Sequence, residues 1–116
     1  MTARDTRIYK IVATRDWSGP NETFRGAGID LSDGFIHFST AAQVEETAAR
    51  HYAGKTELLL VAVDAPRLGD ALKWEVSRGG DVFPHLYGGL PSSAVLTARP
   101  LPLGANGRHN FTGLLG

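Results

Sequence analysis

The sequence predicts one α+β domain built on a mixed or mostly antiparallel sheet. Three observations lead there. Segments with strand character outnumber helical ones, only one stretch sustains a long helical period, and hardly any helix separates the later strands. A chain of 116 residues with 42% hydrophobic and 21% charged residues is enough for one modest core. Its 14 glycines and 6 prolines mark a loop-rich globular protein. No repeat or linker divides it, so residues 1–116 are one domain, with a core at about 7–100 and an expected mobile tail at 101–116.

The elements follow in order. Arg7 to Thr14 (RIYKIVAT) has the β-branched and aromatic content of a first strand. Thr14 is placed to cap a short helix through Trp17 that ends near Gly19-Pro20. Residues 21–34 read as loop with one turn of helix. Phe35 to Ser39 (FIHFS) reads as a second strand. Thr40 and Gln43 have capping-box spacing, and Ala41, Val44, Ala48 and Tyr52 recur at helical period before Gly54 stops the helix. Glu57 to Asp64 is a continuous apolar run of strand length and predicts a central strand. Leu72 to Val76 alternates, with Leu72, Trp74 and Val76 on one face and Lys73 and Glu75 on the other. Arg78 to Pro91, with four glycines and two prolines, reads as a long loop, and Ala94 to Ala98 as the last strand. Gly104 begins the tail proper.

Composition excludes several classes of function. Without cysteine there is no disulfide, thiolate metal site, iron–sulfur cluster or cysteine nucleophile. Twelve basic residues balance twelve acidic ones, so no global field draws nucleic acid. The apolar run Leu58–Val63 is too short to span a bilayer, and the first ten residues lack a signal peptide's apolar stretch, so the expected location is cytoplasmic and no membrane partner is expected. The oligomeric state is left open.

Three places could carry chemistry. In a strand, Phe35, His37 and Ser39 share one face while Ile36 and Phe38 take the other. His37, Ser39 and Thr40 would then stand beside a helix N-terminus, where free amides and a positive dipole end favour an anion. The plainer reading has Ser39 and Thr40 capping the helix and His37 half-buried and hydrogen-bonded. The segment Phe83-Pro84-His85-Leu86-Tyr87-Gly88-Gly89 places a histidine and a tyrosine on a rigid, glycine-framed platform; the plainer reading is a tight turn with Tyr87 packed on a sheet edge. Glu75 stands on the face away from Trp74, where a strand carboxylate is ordinarily solvated unless it meets His37 and His85. Those three residues also suit zinc or non-haem iron by type, but their spacing matches no compact ligand motif, so no metal is assigned. His51, late in the helix, and His109, in the glycine-rich tail, read as structural or solvent-facing.

The segments IYKIVATRDW (Ile8 to Trp17), DGFIHFSTAAQV (Asp33 to Val44), LKWE (Leu72 to Glu75) and FPHLYGGLP (Phe83 to Pro91) resemble, in that order, the bacterial and plant family called domain of unknown function 952. The resemblance covers about residues 7 to 100, and the family has no established activity. Its members look like distant relatives of the ADP-ribosyltransferase superfamily, which implies a split sheet holding NAD in a cleft. By that resemblance Tyr9-Lys10-Ile11 matches the first ligand-binding element and Gly34 to Thr40 the second. Lys10 stands where the family usually has histidine, and there it would meet a phosphate. Glu75 would be the carboxylate that stabilises the positive charge left when nicotinamide departs. His37 or His85 would bind ribose or act as base, and Tyr87 would stack on nicotinamide.

The expected site therefore comprises His37, Glu75 and His85 as catalytic residues and Lys10, Ser39, Thr40 and Tyr87 as ligand-binding residues. The expected partner is a small molecule, a nucleotide or another phosphate-containing compound, with NAD a candidate substrate and no resident cofactor assigned. The expected activity is NAD- or phosphoribose-dependent transfer or hydrolysis. One alternative is a non-catalytic ligand- or protein-binding module on the same fold; another is a metal-assisted enzyme using His37, Glu75 and His85.

Overall fold

The computed structural model describes residues 6–115, Arg78 by its backbone alone. Nine elements carry the fold: β1 (Arg7–Ala13), α1 (Ile29–Asp33), β2 (Ile36–His37), β3 (Ser39–Thr40), α2 (Ala41–His51), β4 (Leu58–Asp64), β5 (Leu72–Val76), β6 (Val82–Leu86) and β7 (Val95–Pro100). They form two sheets, one ordered β3-β1-β4-β7 and one ordered β2-β6-β5. Every ladder between these strands is antiparallel. The architecture is thus a single α+β domain with two antiparallel sheets, one main helix and short helical turns.

The four-stranded sheet is covered on both faces, which is why β4 reads as an unbroken apolar run. One face of β1 and β4 (Ile8, Val12, Val61, Val63) packs with Ile36, Phe38 and Leu86 in the cluster between the sheets. The other face (Tyr9, Ile11, Leu58, Leu60, Ala62) packs under Val44 and Ala48 of α2 and against Leu101 and Phe111. The residues after Gly104, expected as a mobile tail, are seated instead. Phe111 is buried in that cluster, the backbone pairs Leu103 with His109, and His109 Nε2 lies 2.8 Å from the Lys55 carbonyl. Glycines hid this packing in the sequence, because the apolar side chains they separate have no period.

Thr14 does not cap the first turn. Residues 14–16 form a 3-10 turn with Ala13 at its N-cap, while the Thr14 hydroxyl and amide both bond the Glu57 carbonyl. The capping box expected at α2 is present, with the Thr40 amide donating to Gln43 Oε1 at 3.0 Å. Gln43 then uses its other end to donate to the Val82 carbonyl at 2.8 Å, tying the helix to the second sheet.

Two further expectations are corrected. The segment Phe35 to Ser39 is not one strand: β2 pairs with β6, and β3 pairs with β1. The chain changes sheets at Phe38, whose side chain fills the core between them. The expected loop 78–91 contains β6, the middle strand of its sheet. Pro84 argued against a central strand because it cannot donate to a ladder. It is tolerated for a geometric reason. The amide and carbonyl of one strand residue point to the same side, and the Pro84 carbonyl accepts from the Phe38 amide at 3.0 Å. The missing donor therefore faces the point where the chain is leaving for the other sheet. No helix among the described residues is long and apolar enough to cross a membrane.

Candidate functional site

Strand alternation assembles the site. In the three-stranded sheet Ile36, Leu86, Leu72 and Trp74 face the core, so Phe35, His37, Phe83, His85, Lys73 and Glu75 share the opposite face, with Lys73 across from His85. His37 lies directly across from His85. Because the Phe38–Pro84 row is the hydrogen-bonded one, the His37–His85 row is non-hydrogen-bonded, the kind in which side chains approach most closely. Their ring centroids are 5.4 Å apart, edge to face. Phe35 packs against both, 4.6 Å from the His37 ring and 4.3 Å from the His85 ring, and reaches Tyr87 at 5.1 Å.

Each imidazole has its own carboxylate. His85 Nδ1 is 2.7 Å from Glu75 Oε1, and the Tyr87 hydroxyl donates to the same oxygen at 2.8 Å. Hydrogen bonds from His85 and then Tyr87 hold the Glu75 carboxyl below its ordinary range, and the bond to Glu75 pushes the Tyr87 hydroxyl up. His85 is buried, with only 7% of its side chain exposed, and its Nε2 has no hydrogen-bond partner among the described residues. His37 Nδ1 is 2.7 Å from Asp30 Oδ1, and its Nε2 is 3.0 Å from Asp33 Oδ2.

Asp30 is the hub beneath this pair. It is buried and receives the His37 amide at 3.1 Å, the Ala27 amide at 3.0 Å and Lys10 Nζ at 2.9 Å. Burial alone would raise its pKa. The His37 hydrogen bond and the Lys10 charge outweigh that and bring it down to about 2. Lys10 is itself buried and also donates to the His37 carbonyl at 3.1 Å. Its pKa is lowered by burial, with Asp30 opposing.

A groove of about 1140 Å³ runs from this cluster along the edge of β1. The edge is open because β3 pairs only with Ile8 and Tyr9, leaving Lys10 to Ala13 without a strand on that side. Of the expected residues, His37, His85, Lys10 and Ser39 line the groove. Glu75 and Tyr87 do not line it and reach it through His85. Ser39 Oγ is held 3.0 Å from Thr47 Oγ1, and Thr40 belongs to the helix cap. Sequence reasoning missed Asp30, and it placed Phe35 on the face of His37 without giving it or Asp33 a role in the site. The four-residue step from Asp33 to His37 around Gly34, which is left-handed at φ +83°, was the available signal. No group of three or more His, Asp or Glu residues among those described is arranged to hold a metal ion. His37 and His85 instead spend their Nδ1 atoms on separate carboxylates.

The comparisons with known proteins agree with the segments quoted above. Residues 11–98 match the family described as protein of unknown function (DUF952). No curated protein matches. The crystal structure of protein CC0527 from Caulobacter crescentus is similar at 45% identity and a TM-score of 0.86, covering 92% of this chain and 96% of that one. The solution NMR structure of CC0527 is similar at 44% identity and a TM-score of 0.82, covering 96% and 97%. The chain belongs to the DUF952 family.

Proposed function

We propose that the groove binds a nucleotide- or phosphoribose-sized small molecule and that His85 performs acid–base chemistry on it beside His37. The observation that carries this reading is the pairing of the two rings across β2 and β6, each oriented by a separate carboxylate. His85 is the base: with Nδ1–H directed at Glu75, Nε2 holds a lone pair on the groove side. His37 is oriented by Asp30 at Nδ1, with Asp33 beside Nε2. Arg15 and Lys55 also line the groove, beyond the far end of β1, and neither forms an ion pair among the described residues. They suit the ligand's phosphate.

The distant resemblance to ADP-ribosyltransferases supplies a specific reaction within this class. His85 Nε2 takes the proton of an acceptor O–H, and the acceptor oxygen bonds to the ribosyl carbon of NAD. The carbon–nitrogen bond breaks, and its electron pair leaves with nicotinamide. Glu75 acts here as a positioning residue for His85.

A second reading, a binding module without turnover, is favoured by His37 being enclosed by two carboxylates, with Asp30 2.7 Å from Nδ1 and Asp33 3.0 Å from Nε2. Proton–nitrogen NMR titration with NAD, ADP-ribose and inorganic phosphate, followed by an assay for nicotinamide release, separates the two. Shifts at His37, His85 and Lys10 with release support the transferase or hydrolase. Shifts without release leave the binding module. No response at millimolar ligand removes both.

A further inference from the structure

We infer that Glu75 locks His85 in the Nδ1-protonated tautomer, so that this end of the groove selects a hydroxyl or N–H donor of the ligand, a sugar hydroxyl foremost, and turns a phosphate away. The inference rests on the functional reading above and sets the direction in which the ligand lies.

An ionised carboxylate only accepts hydrogen bonds. At 2.7 Å from Glu75 Oε1, His85 Nδ1 must therefore carry the proton. The Tyr87 hydroxyl donates to the same oxygen, so that atom is an acceptor twice over. In the neutral ring Nε2 is then a lone pair, on a side chain more than nine-tenths buried, with no partner among the described residues and the groove in front of it. Its neighbour His37 holds Nδ1 against Asp30 at 2.7 Å and has Nε2 3.0 Å from an Asp33 carboxylate oxygen. A phosphate oxygen brought to Nε2 would meet a lone pair on a ring held by the Glu75 carboxylate, whose charge Lys73, across the ladder from His85, offsets only from the solvent side. A hydroxyl would donate to Nε2 and complete the His85 ring. Specificity of this kind is large where the unmatched polar group is buried. The sugar thus lies at His85 and the phosphate towards Arg15 and Lys55.

The test reads the tautomer directly. Long-range proton–nitrogen correlation spectra of the histidine rings, taken at roughly pH 8 where an ordinary histidine is neutral, should show His85 protonated on Nδ1. Addition of D-ribose 5-phosphate should shift His85 Nε2, and inorganic phosphate alone should not. Glu75→Ala removes the acceptor on an exposed part of an edge strand. The ring should then return to the Nε2-protonated form that free histidine favours, with affinity for ribose 5-phosphate falling about tenfold, the equivalent of one hydrogen bond. Tyr87→Phe keeps the carboxylate and should keep the Nδ1 proton. A proton found on Nε2 in the unmodified protein overturns the inference, and the groove reading survives if ribose 5-phosphate still binds. A His85 response to phosphate but not to ribose 5-phosphate overturns it as well. If no nucleotide or sugar phosphate shifts any groove residue, the functional reading and the ligand selection fall together, while the tautomer is still decided by the same spectra.

Discussion

His37 and His85 face each other across the β2–β6 ladder with ring centroids 5.4 Å apart. Forty-eight positions separate them in the chain, and a two-residue strand is enough to join them. Short as it is, β2 holds its register because Ile36 enters the core opposite Leu86 while His37 turns outward. A slip of one residue would bury the imidazole and expose Ile36.

Replacing His85 tests the pair. In His85→Asn the side-chain amide nitrogen takes the place of Nδ1 and can still donate to Glu75, so the fold should survive with a loss of stability of about 1–2 kcal/mol, measured by urea denaturation. Any nicotinamide release should fall by about 10²-fold or more, the ordinary contribution of a positioned base. Unchanged turnover would remove His85 from the chemistry.

The Lys10–Asp30 pair governs stability. Asp30→Ala leaves Lys10 buried beside no opposite charge and should cost roughly 3–5 kcal/mol by denaturant unfolding. The double variant Lys10→Met, Asp30→Ala should recover part of that loss, because the stranded charge is gone.

Acid should expose the same pair. The Asp30 carboxyl ionises at about 2 in the folded chain against an ordinary 3.8. A depressed carboxyl contributes stability that is fully present above the unfolded value and is lost as pH falls through the folded one. The contribution, on the order of 2 kcal/mol, should therefore be intact above about pH 5 and fade towards pH 2. In Asp30→Asn that acid-dependent part of the stability curve should flatten, and an unaltered curve would place the acid sensitivity elsewhere.

Gln43 bridges helix and sheet. Gln43→Ala removes both the bond to the Thr40 amide and the bond to the Val82 carbonyl, and should cost about 1–2 kcal/mol. Gln43→Glu retains the cap acceptor and loses the donor to Val82, so it should cost less. Thermal melts of the two variants give the comparison.

Gly26 shapes the approach to Asp30. Its φ is +110°, and a Cβ there would come within 2.9 Å of the Asp30 Cβ. Gly26→Ala should destabilise by about 1–3 kcal/mol through backbone strain and should weaken the Asp30 bonds to Ala27 and His37. Hydrogen exchange at the Ala27 and His37 amides would show the second effect.

Much of the fold was legible in the sequence because local patterns carry it. The apolar run of β4, the period and capping box of α2 and the alternation of Leu72 to Glu75 each report burial on a known face. The same alternation placed His37 opposite Ile36 and Glu75 opposite Trp74 before any contact was known. What the sequence did not reveal depends on partners distant along the chain. Pro84 sits in a central strand only because β2 leaves the ladder at Phe38, and the split of residues 35–39 between two sheets has no local signature. Asp30 reads as a loop carboxylate until Lys10 and His37 surround it. The convergence of His37, His85 and Glu75 was likewise decided by tertiary structure alone: cross-strand register is set where two core faces meet, and that meeting is a property of the packed sheets rather than of any single segment.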